Sequence, residues 1–292
     1  MFEYSFYCMY CKEYHINGKL YWEVYEMRDL TKAIQKIVDQ TDGTWSIVLE
    51  DMDSKDKWGW NVDDLFYAAS VIKVPIMTAV FFAVQEERLN LRDVVVLKKE
   101  DFVGGSGVLQ HLTPGTSLTI YDIMTLMIIQ SDNTATNILI DLVGSEMIQR
   151  VMKEVGMEKS TFFNKLMSDA PKPDGINQIS ALDIANLLKS MVTGKVVSAS
   201  ASEEMLEIMK KQQVRDCLPE RLPSPYSNFN NGMTAWELAN KTGWVPGIRH
   251  DVGVFYVGER KMIVVVLSKD ADDLLSKQIL SGIGEEIYNY LS

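Results

Sequence analysis

The chain has 292 residues, of which 47% are hydrophobic, and it carries a formal net charge of −11 at pH 7. A chain of this length can bury a large core, as one large domain or as two interleaved subdomains. The acidic balance argues against binding to nucleic-acid phosphate or to an anionic membrane, and no apolar run reaches the roughly 20 residues of a membrane helix, which leaves a small-molecule partner open.

Residues 1–27 form the first segment. It begins with the run MFEYSFYC, which lacks a basic stretch before an apolar core and so does not resemble a secretory signal. Either the chain is cytoplasmic as it stands or its start has been altered or wrongly chosen, and the sequence does not decide between the two. Cys8 and Cys11 form a C-x-x-C pair near His15, but a structural zinc site needs about four ligands and only the distant Cys217 remains. We expect an inert extension with no metal and no cofactor, and a metal knuckle is the alternative.

After this segment, the predicted elements are first a helix and strands, and then mainly helices. Apolar residues at helical spacing predict a helix over 28–40, and residues 45–50 and 58–62 suggest paired strands. From residue 70 to about 211 the pattern is mainly helical, broken by turns at glycine and proline.

Beyond Lys241 the chain returns to strand. Residues 251–257 and 261–268 flank the Gly-Glu-Arg sequence at 258–260, which predicts a hairpin with a three-residue loop. Residues 271–290 then close the chain as a helix.

This order predicts an α+β protein rather than a doubly wound α/β sheet, because strands and helices do not alternate. An all-helical middle inserted between two halves of an antiparallel sheet accounts for it. The expected division is an N-terminal extension over 1–27, an α/β lobe formed by 28–67 with 217–292, and a helical lobe over 68–216.

One serine–lysine pair stands out within this framework. Ser70-Val71-Ile72-Lys73 opens a strongly apolar helix whose Pro75 fits only in a first helical turn. Ser70 would then lie near a helix N-terminus, where negative charge is favoured, with Lys73 on the same face. That is an arrangement for a nucleophile and its base. Ser54 also begins an S-x-x-K, but in a polar run typical of a turn.

Two further motifs follow in order, Ser131-Asp132-Asn133 and Lys241-Thr242-Gly243. With Ser70-x-x-Lys73 they form the motif set of serine β-lactamases and penicillin-binding proteins. The chain most closely resembles class A β-lactamases over roughly residues 30–292. Further class A-like segments are 104–110, 114–115, 133–137, 240–243 and 264–270. The resemblance implies the β-lactamase fold, an antiparallel sheet flanked by helices with an inserted helical lobe, and an active site between the two lobes.

The resemblance also implies roles for the motif residues. Ser70 would attack a lactam or peptide carbonyl to form an acyl-enzyme, with Lys73 as its base if burial and Lys241 lower the lysine's pKa. Ser131 would pass a proton to the departing nitrogen, and Asn133 would hold the substrate amide. Asp132 is expected to fix its own turn. Taken alone, Ser70 could be a helix cap and Ser-Asp-Asn a capping turn.

The third motif and its neighbours would bind substrate. Lys241, Thr242 and Gly243 lie on a strand whose edge could pair with an extended substrate, and Gly243 permits close approach. The backbone N–H groups of Ser70 and Trp244 would form the oxyanion hole, as in the family. Trp244 replaces a usually small residue, and it would narrow the cleft or stack on an aromatic substituent. Arg249 would bind a substrate carboxylate, and a surface ion pair is the alternative.

The deacylation glutamate of class A enzymes is missing. Leu166 aligns near its place, and Asp169 and Asp174 are possible substitutes that no spacing supports. The sequence therefore predicts intact acylation and uncertain deacylation. The leading function is hydrolysis of β-lactam antibiotics through an acyl-enzyme. A D-alanyl-D-alanine peptidase or esterase, and a β-lactam-binding sensor that deacylates slowly, are the alternatives.

Overall fold

The structure, a computed structural model, describes residues 11–16, 19–24, 26–167, 175–225 and 236–292, and the first two ranges as backbone only. The possible metal knuckle at Cys8 and Cys11 lies outside the described side chains. Among the described helices, none is both long and apolar enough to cross a lipid bilayer.

A five-stranded antiparallel sheet organises the described chain. Its order is β4-β3-β11-β10-β9, so that β4 and β9 are the edges. Three two-stranded pairs, β1 with β2, β5 with β8 and β6 with β7, lie outside it. The strands are β1 (Cys11–Ile16), β2 (Lys19–Val24), β3 (Thr44–Asp51), β4 (Lys57–Trp60), β5 (Phe66–Tyr67), β6 (Val94–Val96), β7 (Ser117–Thr119), β8 (Gln178–Ile179), β9 (Trp236–Val245), β10 (Ile248–Val257) and β11 (Arg260–Lys269).

The helices flank this sheet, and six of the eight α-helices in the described ranges come from the middle of the chain. They are α1 (Met27–Val38), α2 (Lys73–Gln85), α3 (Ile120–Ile129), α4 (Asn133–Val143), α5 (Ser145–Glu154), α6 (Ala181–Val192), α7 (Ala199–Lys210) and α8 (Asp273–Leu291). Short 3₁₀ helices occupy Ala69–Ile72, Lys99–Asp101 and Leu109–His111. The α+β class and the antiparallel sheet flanked by helices are thus as predicted.

The central strand β11 shows why both faces of the sheet are covered. Its Met262, Val264 and Val266 belong to the core beneath α1 and α8. The alternate residues Ile263 and Val265 belong to the larger core shared with the middle helices. A strand buried on both faces has a nearly continuous apolar sequence, as β11 does.

The predicted hairpin is present, but its loop is one residue shorter than expected. Arg260 pairs with Val257 and begins β11, so the turn contains only Gly258 and Glu259. Gly258 has φ of +56°, a conformation that glycine adopts readily. Arg260 joins the strand because its side chain binds a buried carboxylate. The sequence pattern did not reveal this contact.

That carboxylate is Asp51, which joins three parts of the fold. One of its oxygens accepts hydrogen bonds from the Arg260 guanidinium at 2.7 Å and from the Tyr290 hydroxyl at 2.9 Å. The other accepts backbone N–H groups of Asp53 and Ser54. Burial opposes ionisation, but these hydrogen bonds outweigh it and hold the pKa of Asp51 below its usual value. The end of β3, the start of β11 and the end of α8 are thereby connected.

We expect Tyr290→Phe to lower the free energy of unfolding by about 1.5–3 kcal/mol, because a hydrogen bond to a buried charge is lost while the ring remains. Chemical denaturation would measure the loss. Tyr288→Phe on the same helix is the matched control and should change stability much less. Equal losses in the two variants would show that the Asp51 contact is not the cause.

Candidate active site

Ser70 lies on the 3₁₀ turn Ala69–Ile72, which runs directly into α2 at Lys73. Pro75 is the third residue of α2, as its first-turn preference predicted. Ala69 adopts a positive φ of +43°, which is a costly conformation for a residue with a Cβ and is typical of functional turns. The turn presents the Ser70 hydroxyl at the mouth of a cleft while the following helix is buried.

The second S-x-x-K is a turn, as expected. Ser54 is exposed, and its hydroxyl donates a hydrogen bond to the Asp56 carboxylate at 2.9 Å. Lys57 forms an ion pair with Glu50 at 3.1 Å. These side chains hold a surface loop and form no site.

Lys73 is fully buried among oxygen atoms. Its Nζ lies 3.1 Å from Ser70 Oγ and 3.0 Å from Ser131 Oγ, and it also contacts the Ser131 carbonyl at 2.6 Å and Asn133 Oδ1 at 2.9 Å. Burial, and then the charge of Lys241, hold the pKa of Lys73 well below its ordinary value, although Asp132 opposes the shift. A neutral amine in this place can accept a proton from Ser70.

Ser131 connects the two buried lysines. Its hydroxyl lies 3.1 Å from Lys241 Nζ as well as 3.0 Å from Lys73 Nζ. Its backbone has a positive φ of +52° between α3 and α4, which is again strain at a candidate site. The structure therefore brings Ser70, Lys73, Ser131 and Lys241 into one continuous chain of polar atoms.

Lys241 is also fully buried, on the edge strand β9. Burial lowers the pKa of Lys241 to about 7, although the nearby Asp251 carboxylate opposes that shift. Asp251 is buried on β10 and accepts hydrogen bonds from Asn240 Nδ2 at 2.8 Å and from the Leu218 N–H at 3.1 Å. Burial raises the pKa of Asp251 to about 7. Asp251 was not predicted from the sequence, because its approach to Lys241 depends on strand register.

Asp132 and Asn133 organise the loop opposite Lys73. The Asp132 carboxylate accepts N–H groups from Val108 and Leu109 and caps α4 through Ala135, which is the turn-fixing part predicted for it. Asn133 Oδ1 accepts a hydrogen bond from Lys73, and Asn133 Nδ2 donates to the Gly104 carbonyl at 3.1 Å. Asn133 is thus already engaged with the protein at both ends of its amide.

The end of β9 forms one wall of the cleft beside Ser70. A Cβ on Gly243 would lie 3.1 Å from a Val71 methyl and 3.3 Å from Ala69 Cβ, so glycine lets the strand approach the Ser70 turn. Trp244 is 51% exposed, and its indole N–H donates to Asp273 at 3.1 Å. The cleft has a volume of about 330 Å³, and its walls include Ser70, Gln130, Ser131, Thr242, Trp244 and Arg249.

Arg249 reaches this cleft from β10, but it is not unpaired. Its guanidinium lies over the Trp244 ring at 5.4 Å and forms an ion pair with Asp216 at 3.7 Å. Asp216 also contacts the Lys277 ammonium of α8 closely. Asp216 and Lys277 both line the cleft. Neither residue was predicted from the sequence, because no local pattern marks side chains that meet from such distant segments.

Leu166 is tied to the helical part of the site by its backbone. Its N–H donates to Asn137 Oδ1 and its carbonyl accepts from Asn137 Nδ2, both at 2.9 Å. Asn137 is one helical turn after Asn133 on α4, so Leu166 is anchored about one turn from the Lys73 contact. Asp169 and Asp174, the suggested substitutes for the missing glutamate, lie outside the described residues.

Other polar and sulfur groups near the site are structural. His250 is buried, with its ring nitrogens facing the Tyr67 carbonyl at 2.9 Å and the Ser268 N–H at 3.1 Å, and burial lowers the pKa of His250 to about 4. Cys217 is buried, and burial raises the pKa of its thiol. Within the described ranges, no three His, Cys, Asp or Glu side chains are placed to hold a metal ion.

Comparison with known proteins places this geometry in a family. The sequence pattern of the β-lactamase enzyme family matches residues 29–291. A β-lactamase from Bacillus amyloliquefaciens is 28% identical over 249 residues, covering 82% of this chain and 76% of its own. A β-lactamase structure from Sphaerobacter thermophilus has a TM-score of 0.81 at 29% identity, covering 90% of this chain and 97% of its own.

A penicillin-binding protein is similar as well. The structure of a leucine-to-glutamate variant of PBP-A, as an acyl-enzyme complex with penicillin G, has a TM-score of 0.76 at 26% identity and covers 90% of this chain and 96% of its own. The chain belongs to the β-lactamase enzyme family. It is an enzyme of the serine β-lactamase type, as the three motifs predicted.

We expect penicillin G to acylate Ser70 and not Ser54, because Ser70, unlike Ser54, has a buried lysine with a lowered pKa within reach of its hydroxyl. Intact-mass analysis should show one adduct, which Ser70→Ala abolishes and Ser54→Ala leaves in place. An adduct that persists in Ser70→Ala would contradict the assignment.

We expect the acylation rate constant to fall as pH rises through about 7, because Lys241 then loses the proton that it offers to Ser131. An ordinary lysine would retain that proton until about pH 10.5. Asp251→Asn removes an anion that raises the pKa of Lys241, so the alkaline limb should move to still lower pH. Acylation rates measured from pH 5 to 10 would test both statements, and an alkaline limb that Asp251→Asn leaves unmoved would contradict the link.

Proposed function

We propose that this protein hydrolyses β-lactams through an acyl-enzyme on Ser70, and that hydrolysis of that acyl-enzyme is its slow step. The observation that carries the proposal is the connected set of Ser70, Lys73, Ser131 and Lys241, with successive polar atoms 3.1, 3.0 and 3.1 Å apart. These distances are within hydrogen-bond reach, as proton transfer requires.

Acylation follows from this chain of atoms. Neutral Lys73 accepts the Ser70 proton while Oγ attacks the lactam carbonyl, and the negative charge that develops on the carbonyl oxygen faces the N–H groups of Ser70 and Trp244. The proton passes from Lys73 through the Ser131 hydroxyl to the lactam nitrogen as the C–N bond breaks. Lys241 supplies positive charge beside Ser131 throughout. The product is an ester at Ser70 with the opened ring attached.

Binding of the substrate is assigned to the walls of the cleft. Thr242 lines the strand side, with Lys241 and Gly243 next to it on β9, and Asn133 contacts Lys73 from α4. Arg249 provides a guanidinium for the carboxylate that penicillins and cephalosporins carry. Trp244 offers an exposed ring face next to Arg249, which favours a planar or apolar group on that side of the substrate.

The described residues provide fewer catalytic groups for hydrolysis of the ester than for its formation. Leu166 cannot accept a proton. Asp216 is the one carboxylate among the described residues of the cleft wall, and Lys277 and Arg249 hold its pKa below the usual value against the opposing effect of burial. A carboxylate so stabilised is a weak base. General-base catalysis accelerates such a step by roughly 10²–10⁴-fold. Without it, the lifetime of the acyl-enzyme should be longer by about the same factor.

A D-alanyl-D-alanine peptidase is the second candidate, and one observation favours it. The strand that carries Lys241 and Trp244 is an edge of the five-stranded sheet, beside Ser70. An extended peptide can add to such an edge through backbone hydrogen bonds. Release of D-alanine from a pentapeptide that ends in D-alanyl-D-alanine would support this activity, and a pentapeptide left intact at high enzyme concentration would count against it.

We expect a burst of one equivalent of product and then slow turnover when a chromogenic cephalosporin is mixed with the protein in a stopped-flow instrument. Leu166→Glu should increase the slow rate by about 10²–10⁴-fold if the new carboxylate can hold a water at the ester. The similar PBP-A variant in complex with penicillin G carries the same type of change, leucine to glutamate.

Leu166→Gln is the matched control, since it has nearly the same shape as the glutamate and is no base. It should leave the slow phase unchanged. A wild-type reaction with no burst and rapid turnover would refute slow hydrolysis. A burst with no later turnover would identify a sensor instead of an enzyme.

A further inference from the structure

Three charged side chains meet in the wall of the cleft that contains Ser70. Asp216 lies between two cations, in close contact with Lys277 and 3.7 Å from Arg249. All three line the same cleft as Ser70. Two positive charges therefore share one internal carboxylate at the place where a substrate anion would bind.

The contacts of Asp216 with the two cations are unequal. The Arg249–Asp216 distance of 3.7 Å is an ion pair but too long for a hydrogen bond. Arg249 is nine-tenths buried, and its Nε has no hydrogen-bond partner among the described residues. The guanidinium is supported instead by the Trp244 ring. Arg249 therefore keeps guanidinium donors that its ion pair with Asp216 does not use.

We propose that Asp216 is an internal competitor for the substrate carboxylate, and that it sets how strongly the cleft prefers anionic to neutral substrates. The proposal rests on the acyl-enzyme function proposed above. A bound substrate carboxylate faces the repulsion of Asp216 while it gains Arg249 and Lys277. The net charge of the three groups is +1, so anions are still favoured, but less than two unopposed cations would favour them.

The measured quantity is a ratio, the second-order rate constant for acylation by penicillin G divided by that for its neutral methyl ester. Adduct formation on Ser70 is followed by rapid quench and intact mass. In Asp216→Asn we expect this ratio to rise about tenfold, because a repulsive charge in a partly exposed site is removed. The rate for penicillin G should also become more dependent on salt.

Two further variants test whether the change in the ratio comes from Asp216 in the cleft. Asp63→Asn makes the same change of charge in a surface ion pair with Lys159, and it should leave the ratio unchanged. Lys277→Gln removes a half-exposed helix side chain and leaves Asp216 to neutralise Arg249, so the ratio should fall about tenfold. Because Lys277 lies on the surface of α8, that variant remains informative if Asp216→Asn fails to fold.

A fall of the ratio in Asp216→Asn would overturn the proposal, because it would mean that Asp216 orients Arg249 and does not compete with substrate. An unchanged ratio in both Asp216→Asn and Lys277→Gln would overturn it too. Failure of the proposed function looks different, because the wild-type protein would then form no Ser70 adduct with either penicillin G or the ester.

Discussion

Two fully buried lysines share one serine hydroxyl, and the rest of the site depends on that arrangement. Taking an ammonium group out of water is costly, and a second ammonium nearby adds repulsion. Lys73 has four oxygen neighbours but no carboxylate within contact distance among the described residues. The physical outcome is a lysine that gives up its proton easily, next to a serine that must lose one.

The fold creates this arrangement by bringing three separate segments together. Lys73 comes from the start of α2, Ser131 from the junction of α3 and α4, and Lys241 from the edge strand β9. Gly243 allows β9 to approach the Ser70 turn, and Asp132 holds the loop on the opposite side. Ala69 and Ser131 both have positive φ values, which are strained conformations that the surrounding structure must hold in place.

The site provides more groups for ester formation than for ester hydrolysis. The groups that transfer protons during ester formation are connected at hydrogen-bond distances, whereas ester hydrolysis lacks a carboxylate base among the described residues. Leu166, whose backbone Asn137 anchors near Lys73, offers no proton acceptor there. In the cleft wall, Asp216 partly neutralises two cations, Arg249 and Lys277. Both features affect which acyl-enzymes form and how long they persist, and neither requires a change of fold.

The sequence by itself determined the motifs, their order, the α+β class and the position of Ser70 at a helix start, because these depend on local spacing and on residues such as Pro75. It also indicated that Leu166 stands where a glutamate is usual. It missed the short hairpin turn, since Arg260 joins its strand through Asp51, more than 200 residues earlier in the chain. Only the tertiary structure placed Asp216 against Lys277 and Arg249, and Asp251 near Lys241. The burial and the distances that set those charges arise when distant segments pack together, and no local pattern records them.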